Sequence, residues 1–269
     1  MQYDPIKRSL GNVFNKSPFL RKTFYSLLDL LLLRSWHIHR ELRLLETNTS
    51  GKALQILDAG AGFGQYTYWL HNRNKESNIL AVDVKTEQVA DCNNFFKQID
   101  AKNVKFETAD LLEFTKPNTF DLVLSVDVME HILEDELVFR NFVASLKPGG
   151  MLLISTPSDQ GGSDASDEHD SSFIEEHVRN GYNAGEIKEK LKRAGFSKAE
   201  THYSYGKPGQ IAWKLSMKYP ILALGFSKIF FIVLPFYYLL VYPLCFILNY
   251  MDTYTEHASG TGLIVKAWK

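Results

Sequence analysis

Cysteine is nearly missing from this chain, with only Cys92 and Cys245 among 269 residues. The two lie far apart and in unlike segments. They form neither a metal-ligand spacing nor a disulfide framework, so a reducing compartment is the simpler expectation. A charge surplus is missing as well. Lys and Arg number 30 against 31 Asp and Glu, for a net charge of -1. With no basic excess there is no electrostatic footprint for nucleic acid, and no nucleic-acid partner is expected. Residues 1–22 hold no apolar stretch followed by a small-residue cleavage site, so no signal peptide is expected. No internal repeat runs through the sequence. What remains is a chain of 45% hydrophobic residues, enough for one large core with an insertion.

Residues 1–50 read as a helical extension, with Ser17 as N-cap and Pro18 at the first helical position. Their leucine run is interrupted by Asp29 and Arg34. That suits a helix packed on the domain or lying on a membrane surface rather than a spanning one. From Leu54 onward buried strands alternate with helical stretches at 65–71, 87–99 and 134–146. This rhythm predicts a parallel sheet with helices on both faces. Residues 158–176 carry no Lys or Arg and many Ser, Gly and Asp. That is loop composition, and the segment 158–183 is expected to be a lid over a site or a surface loop. A helix ending at Gly195 follows, and then two more strands.

The run "LQILDAGAGFGQYTYWL" places Gly60, Gly62 and Gly64 between a strand ending near Asp58 and a helix. Glycine at alternate positions there lets a backbone turn pass close to a ligand. The spacing is G-x-G-x-G, whereas a nicotinamide dehydrogenase carries G-x-G-x-x-G, so an oxidoreductase is a weaker alternative. "ILDAGAGFG", the acid in "LAVDV", "TADL", "FDLVLSVDVMEH" and "LKPGGMLLIST" follow one another in order. In this the chain resembles the class I S-adenosylmethionine-dependent methyltransferases, of the type 11 and ubiquinone-biosynthesis O-methyltransferase kind. The resemblance implies an α/β, Rossmann-like, doubly wound and mostly parallel seven-stranded sheet with an antiparallel last strand. N-terminal helices and a hydrophobic helical insertion before the last strand would be added to it, with residues 51–269 as the methyltransferase domain. It implies S-adenosylmethionine as cofactor, held by Asp58, Gly60, Gly62, Gly64, Asp83, Val84, Asp110, Leu111 and Ser125. Asp83 would take the ribose hydroxyls and Asp110 would sit near the adenine amino group. Phe63, Gln65 and Tyr66 would line the opening.

Asp127, Glu130 and His131 follow the fourth strand, on the acceptor side in that family. If the turn is helical, their i, i+3, i+4 spacing puts them on one face. Such a face suits a base or a divalent cation such as magnesium, and a purely structural role is the alternative. His177, Arg179 and Tyr182 resemble the H-x-R-x-x-(Y/F) stretch of small-molecule methyltransferases and are expected to touch the acceptor. Alternatively Arg179 pairs with a loop carboxylate. A cofactor-binding partner subunit without turnover is the non-enzyme alternative.

The insertion, 208–254, contains the uncharged run 229–249, about the length of a spanning helix. The strands before and after it should pair, so its ends lie on one side of any membrane and a single crossing is excluded. Lys214, Lys218 and Lys228 spoil a second span, and Pro220, Pro235 and Pro243 are expected to break the segment into short pieces. The expectation is a monotopic helical hairpin in one leaflet on the cytoplasmic face, beside a hydrophobic or lipid acceptor, with a soluble lid as the alternative. The sequence leaves the oligomeric state open.

Overall fold

The structure, a computed structural model, describes residues 17–161, 178–227 and 229–269. Strands β1 (Gln55–Ala59), β2 (Asn78–Asp83), β3 (Val104–Thr108), β4 (Phe120–Val126), β5 (Leu146–Pro157), β6 (Lys198–Ser204) and β7 (Gly262–Trp268) form one sheet in the order β3-β2-β1-β4-β5-β7-β6. The first five are parallel. β7 runs antiparallel to both β5 and β6, so β6 points the same way as β5. The strand order reverses between β1 and β4. In an open α/β sheet that reversal leaves a crevice at the carboxyl ends of the strands.

Alternate residues of each strand serve opposite faces. Leu57 and Ala59 of β1 join Val123, Leu152 and Ile154 beneath helices α5 (Asp135–Ser145) and α6 (Ala184–Ala194). Ile56, Leu122, Leu124 and Leu153 join Ile38 and Leu42 of α2 (Leu33–Asn48) and Tyr66 and Leu70 of α3 (Gln65–Arg73) on the other face. Burial on both sides is why these strands read as continuous apolar runs. A third cluster packs α4 (Thr86–Gln98) and Tyr25 of α1 (Pro18–Leu31) against Ala81 and Phe106. The N-terminal helices therefore join the core of the sheet. Residues 1–16 lie outside the described set.

Local signals behave as their chemistry dictates. Ser17 Oγ accepts from the Leu20 amide at 3.2 Å and starts α1 with Pro18 behind it. Asn183 caps α6, and Gly195 ends it at φ +111°. The segment 158–183 has its ends clasped, with Tyr182 N donating to Pro157 O and Asp159 N to Tyr182 O at 2.9 and 3.1 Å. Residues 162–177 within it lie outside the described set.

Between β6 and β7 the chain forms a helical hairpin. α7 (Lys207–Trp213) passes through a π-helical turn, Lys214–Lys218, into α8 (Tyr219–Phe226), and α9 (Phe230–Tyr254) returns. The prolines do not divide it as expected, because Pro235 and Pro243 both lie inside the 25-residue α9. At Pro220 the reason is visible. Proline has no N–H for the carbonyl four residues back, Ser216, and the Tyr238 hydroxyl of the facing arm donates to that oxygen at 2.7 Å. The Tyr237 hydroxyl does the same for Leu215 O, also at 2.7 Å.

The hairpin base is polar. Asp252, fully buried, accepts from the Tyr205 and Gly209 amides at 3.0 Å each. Its carboxylate also lies 2.9 Å from His37 Nε2 and 3.2 Å from His257 Nε2. Ser204 faces Gly262 across β6 and β7, so both ends of the hairpin leave the sheet at one place. Since β6 parallels β5, that place is the edge where β1, β2 and β4 also end.

Candidate active site

The turn after β1 has Gly60, Gly62 and Gly64 at φ +78°, +52° and +77°, the left-handed region that L side chains rarely adopt. A Cβ on Gly60 would stand 2.3 Å from Val128 Cγ2, while one on Gly62 would meet nothing within 4 Å. The first glycine lets the turn pack against the end of β4, and the second presents bare backbone to open space. The Gly62 amide donates to Asp83 Oδ2 at 2.9 Å, and Asp83 Oδ1 accepts from the Lys85 amide at 2.9 Å. The acid that ends β2 is thus fixed beside the glycine turn.

Asp58 is 2% exposed, and its Oδ2 accepts from Thr67 Oγ1 at 2.6 Å. Burial pushes its carboxyl up to about 6, against the Thr67 hydrogen bond and with the nearby Asp83 charge. Its place is beneath the loop. Farther along the edge, Val84 is exposed, Asp110 Oδ1 accepts from the Leu112 amide at 2.9 Å, and Leu111 is buried. Ser125 is fully buried near the end of β4, and its hydroxyl has no partner. A turn of three left-handed glycines without side chains, an acid at its rim, an apolar ledge and an unsatisfied hydroxyl fit a nucleoside carrying a cationic tail.

The turn after β4 departs from expectation. Asp127 has a left-handed backbone, φ +52°, and only Met129–His131 form a helical turn, of the tight 3₁₀ kind. Three residues per turn set neighbours about 120° apart. Glu130 therefore points inward, 1% exposed, and His131 outward. Thr156 Oγ1 donates to Glu130 Oε2 at 3.1 Å. Burial, then the Asp127 charge, push the Glu130 carboxyl up to about 8. The three residues do not share one face, and among the described residues no group of three or more His, Cys, Asp or Glu is placed to hold a metal ion.

Two residues join this edge that sequence reasoning did not assign. Arg34 Nη1 donates to Asp127 Oδ2, and the Arg34 amide donates to Tyr205 Oη at 3.2 Å. Tyr205, just past β6, has φ +55°. Asp127 and Tyr205 thus both carry non-glycine left-handed backbone and meet at Arg34, and such strain concentrates at functional sites. Burial pushes the Tyr205 phenol up to about 12, so it stays protonated.

Arg179 and Tyr182 lie elsewhere. The Tyr182 hydroxyl donates to Asp135 Oδ2 at 2.8 Å, and Arg179 Nη1 and Lys190 Nζ donate to the same oxygen. Arg179 also stacks on the Tyr182 ring, 4.7 Å from its centroid. Tyr182 is 2% exposed. The pair therefore clamps the chain onto α5 and offers no face to an acceptor. The partner carboxylate is buried Asp135 rather than one from the loop. His177 lies outside the described residues.

Known proteins resemble this chain in sequence and in fold. The chain is 31% identical over 144 residues to phosphoethanolamine N-methyltransferase of Triticum aestivum, covering 53% of this chain and 28% of the relative. It is 30% identical over 122 residues to the mitochondrial ubiquinone biosynthesis O-methyltransferase of Homo sapiens, covering 43% of this chain and 32% of the relative. The chain spans about a third of the length of these curated relatives. Phosphoethanolamine N-methyltransferase 2 of Haemonchus contortus, solved with S-adenosyl-L-methionine, has a like fold with TM-score 0.60 at 24% identity, covering 86% of this chain and 52% of that one. The family model described as a methyltransferase domain matches residues 50–204. That match takes in over half of the sequence and the whole carboxyl edge from β1 to β6, and the chain belongs to the S-adenosylmethionine-dependent methyltransferases.

Proposed function

We propose that the protein transfers a methyl group from S-adenosylmethionine to a hydrophobic small molecule or lipid at a membrane surface, on the cytoplasmic face. The observation that carries the acceptor class is the position of the hairpin. It leaves the sheet at the carboxyl edge, next to Asp127, Arg34 and Tyr205, and α9 is long and apolar enough to cross a membrane. Its partner arm and its tip are apolar too, with Leu222, Phe226, Phe231 and Phe236 exposed. A patch of that size is costly in water and marks a binding surface. Because both hairpin ends lie at one point of the sheet, the hairpin enters along α7 and α8 and returns along α9 rather than crossing once. The two buried free cysteines agree with a reducing compartment.

In this reading residues 51–269 form the catalytic unit, residues 1–50 its helical extension and 208–254 the membrane-docking insertion. Asp83 takes the ribose hydroxyls, the bare Gly60–Gly62 turn lies under the methionine part, and Val84, Asp110 and Leu111 hold the adenine. Asp58 braces the turn from below, and Ser125 offers its unpaired hydroxyl to the pocket. The bound cofactor supplies an already activated methyl group, so the protein mainly aligns the acceptor in line with it. Asp127 lies where the acceptor enters and accepts its proton, while Arg34 holds that carboxylate in place. Glu130 and His131 are assigned to orienting this turn. The relatives named as a phosphoethanolamine N-methyltransferase and a ubiquinone biosynthesis O-methyltransferase leave both nitrogen and oxygen as acceptor atoms within this reading.

Untargeted lipid mass spectrometry of a deletion strain tests this. A lipid-extract species that shifts down by one methylene unit is expected. A shift confined to water-soluble metabolites would overturn the acceptor class, and retained cofactor binding with no product in any extract would favour a cofactor-binding subunit without turnover.

A further inference from the structure

Helix α1 has two distinct faces. On the inner one, Arg21 Nη2 donates to Phe63 O at 3.0 Å, and the Tyr25 hydroxyl donates to the same oxygen. Asp29 Oδ1 accepts from Gln65 Nε2 at 2.7 Å. Phe63 and Gln65 flank Gly64, so α1 holds the glycine turn on both sides of its last residue. On the outer face Phe19, Thr23, Ser26, Leu27 and Leu30 are exposed at helical spacing, with no charge among them.

The end of α1 is seated against the hairpin. Leu30 O accepts from Trp36 Nε1 at 3.0 Å and from the Tyr242 hydroxyl of α9, and the Trp36 ring meets Phe246 edge-on at 4.9 Å. From Tyr242 to the start of α9 at Phe230, a helical rise of 1.5 Å per residue gives about 18 Å. One leaflet is roughly half of a hydrocarbon core about 30 Å thick. With α9 along the membrane normal and its tip in one leaflet, the Leu30 end of α1 then lies at head-group depth, a level that suits an uncharged outer face with Phe and Leu.

We propose that α1 is a second membrane-contact element, and that bilayer docking and cofactor binding reinforce each other through it. This rests on the membrane reading above. A leaflet that holds α1 down favours the fixed glycine turn, and a cofactor that orders the turn favours docked α1. Linkage makes the two effects equal.

The test is titration calorimetry of S-adenosylmethionine with the full chain, with and without vesicles of phosphatidylcholine containing phosphatidylglycerol. Vesicle sedimentation is measured in parallel with and without the cofactor. Vesicles are expected to tighten cofactor binding about fivefold, and the cofactor to tighten vesicle binding by the same factor. The surface variant Phe19→Ser/Leu27→Ser is expected to keep the vesicle-free affinity and to sediment through its hairpin, but to lose the tightening. Wild-type protein that sediments with vesicles yet binds the cofactor equally well overturns the coupling alone. So does a variant that keeps the full tightening. Protein that does not sediment overturns the membrane reading, and the coupling with it.

Discussion

At the scale of single residues, Asp83 is the most exposed to test. Its carboxylate touches the Gly62 and Lys85 amides and in the proposed pose receives two ribose hydroxyls. Charge-assisted hydrogen bonds contribute roughly 1.5–3 kcal/mol each, so with two of them lost Asp83→Ala is expected to weaken S-adenosylmethionine binding by more than about a hundredfold. Calorimetry measures it, and affinity within about threefold of wild type would mean that the pocket lies elsewhere. Glu130 carries a pH signature. Its folded-state pKa is raised to about 8, so the folded protein holds a proton that the unfolded chain releases above its ordinary value of 4.5. The resulting stabilisation is complete below about pH 4.5 and is lost as pH rises through about 8. Unfolding free energy from denaturant melts should fall between pH 5 and 8 in wild type, and Glu130→Gln should flatten that slope. Parallel curves for the two proteins would contradict the assignment. The glycine turn and its acid were legible in the sequence because positive φ admits few residues but glycine. Arg34 and Tyr205 were not, since their contact joins positions 171 residues apart. Tyr182 misled because a motif spacing does not tell which way a phenol points.

At the scale of elements, the alternation of strands and helices, the Ser17 cap and the Gly195 stop follow from local chemistry that a sequence displays directly. The hairpin does not. Proline rules divide it, whereas the structure keeps α9 whole and lets tyrosines of the facing arm supply the donors that a proline register leaves out. Likewise an i, i+3, i+4 spacing promised one face for Asp127, Glu130 and His131, and a single 3₁₀ turn after a left-handed residue undid it. The hairpin divides into a buried base and a bare tip. Cys245, Asn249 and Asp252 are buried at the base, while Leu222, Phe226 and Phe231 of the tip are 56%, 88% and 63% exposed. Leu222→Ser/Phe226→Ser/Phe231→Ser should therefore abolish sedimentation with vesicles and leave the melting temperature and cofactor affinity unchanged, since exposed substitutions away from caps and buried networks typically change stability by less than about 0.5 kcal/mol each. A tip variant that sediments as well as wild type would show that the hairpin is not the docking element. One that loses several degrees of melting temperature would show that the tip is a lid packed on its own protein.

At the scale of the whole molecule, one edge of one sheet gathers everything. The glycine turn, Asp83, Asp127 and both roots of the hairpin lie at the carboxyl ends of parallel strands, where the order of the sheet reverses. A membrane surface at that edge would bring an apolar acceptor to the cofactor without passage through water. The most direct measurement is methyl transfer from methyl-labelled S-adenosylmethionine to a membrane lipid extract reconstituted as vesicles, with product followed by partition into organic solvent. Wild-type protein is expected to place the label in the organic phase, and the tip variant to do so at least tenfold more slowly at saturating cofactor while binding the cofactor equally well in the absence of vesicles. Label found only in the aqueous phase, or the same organic-phase rate from both proteins, would contradict a membrane-borne acceptor.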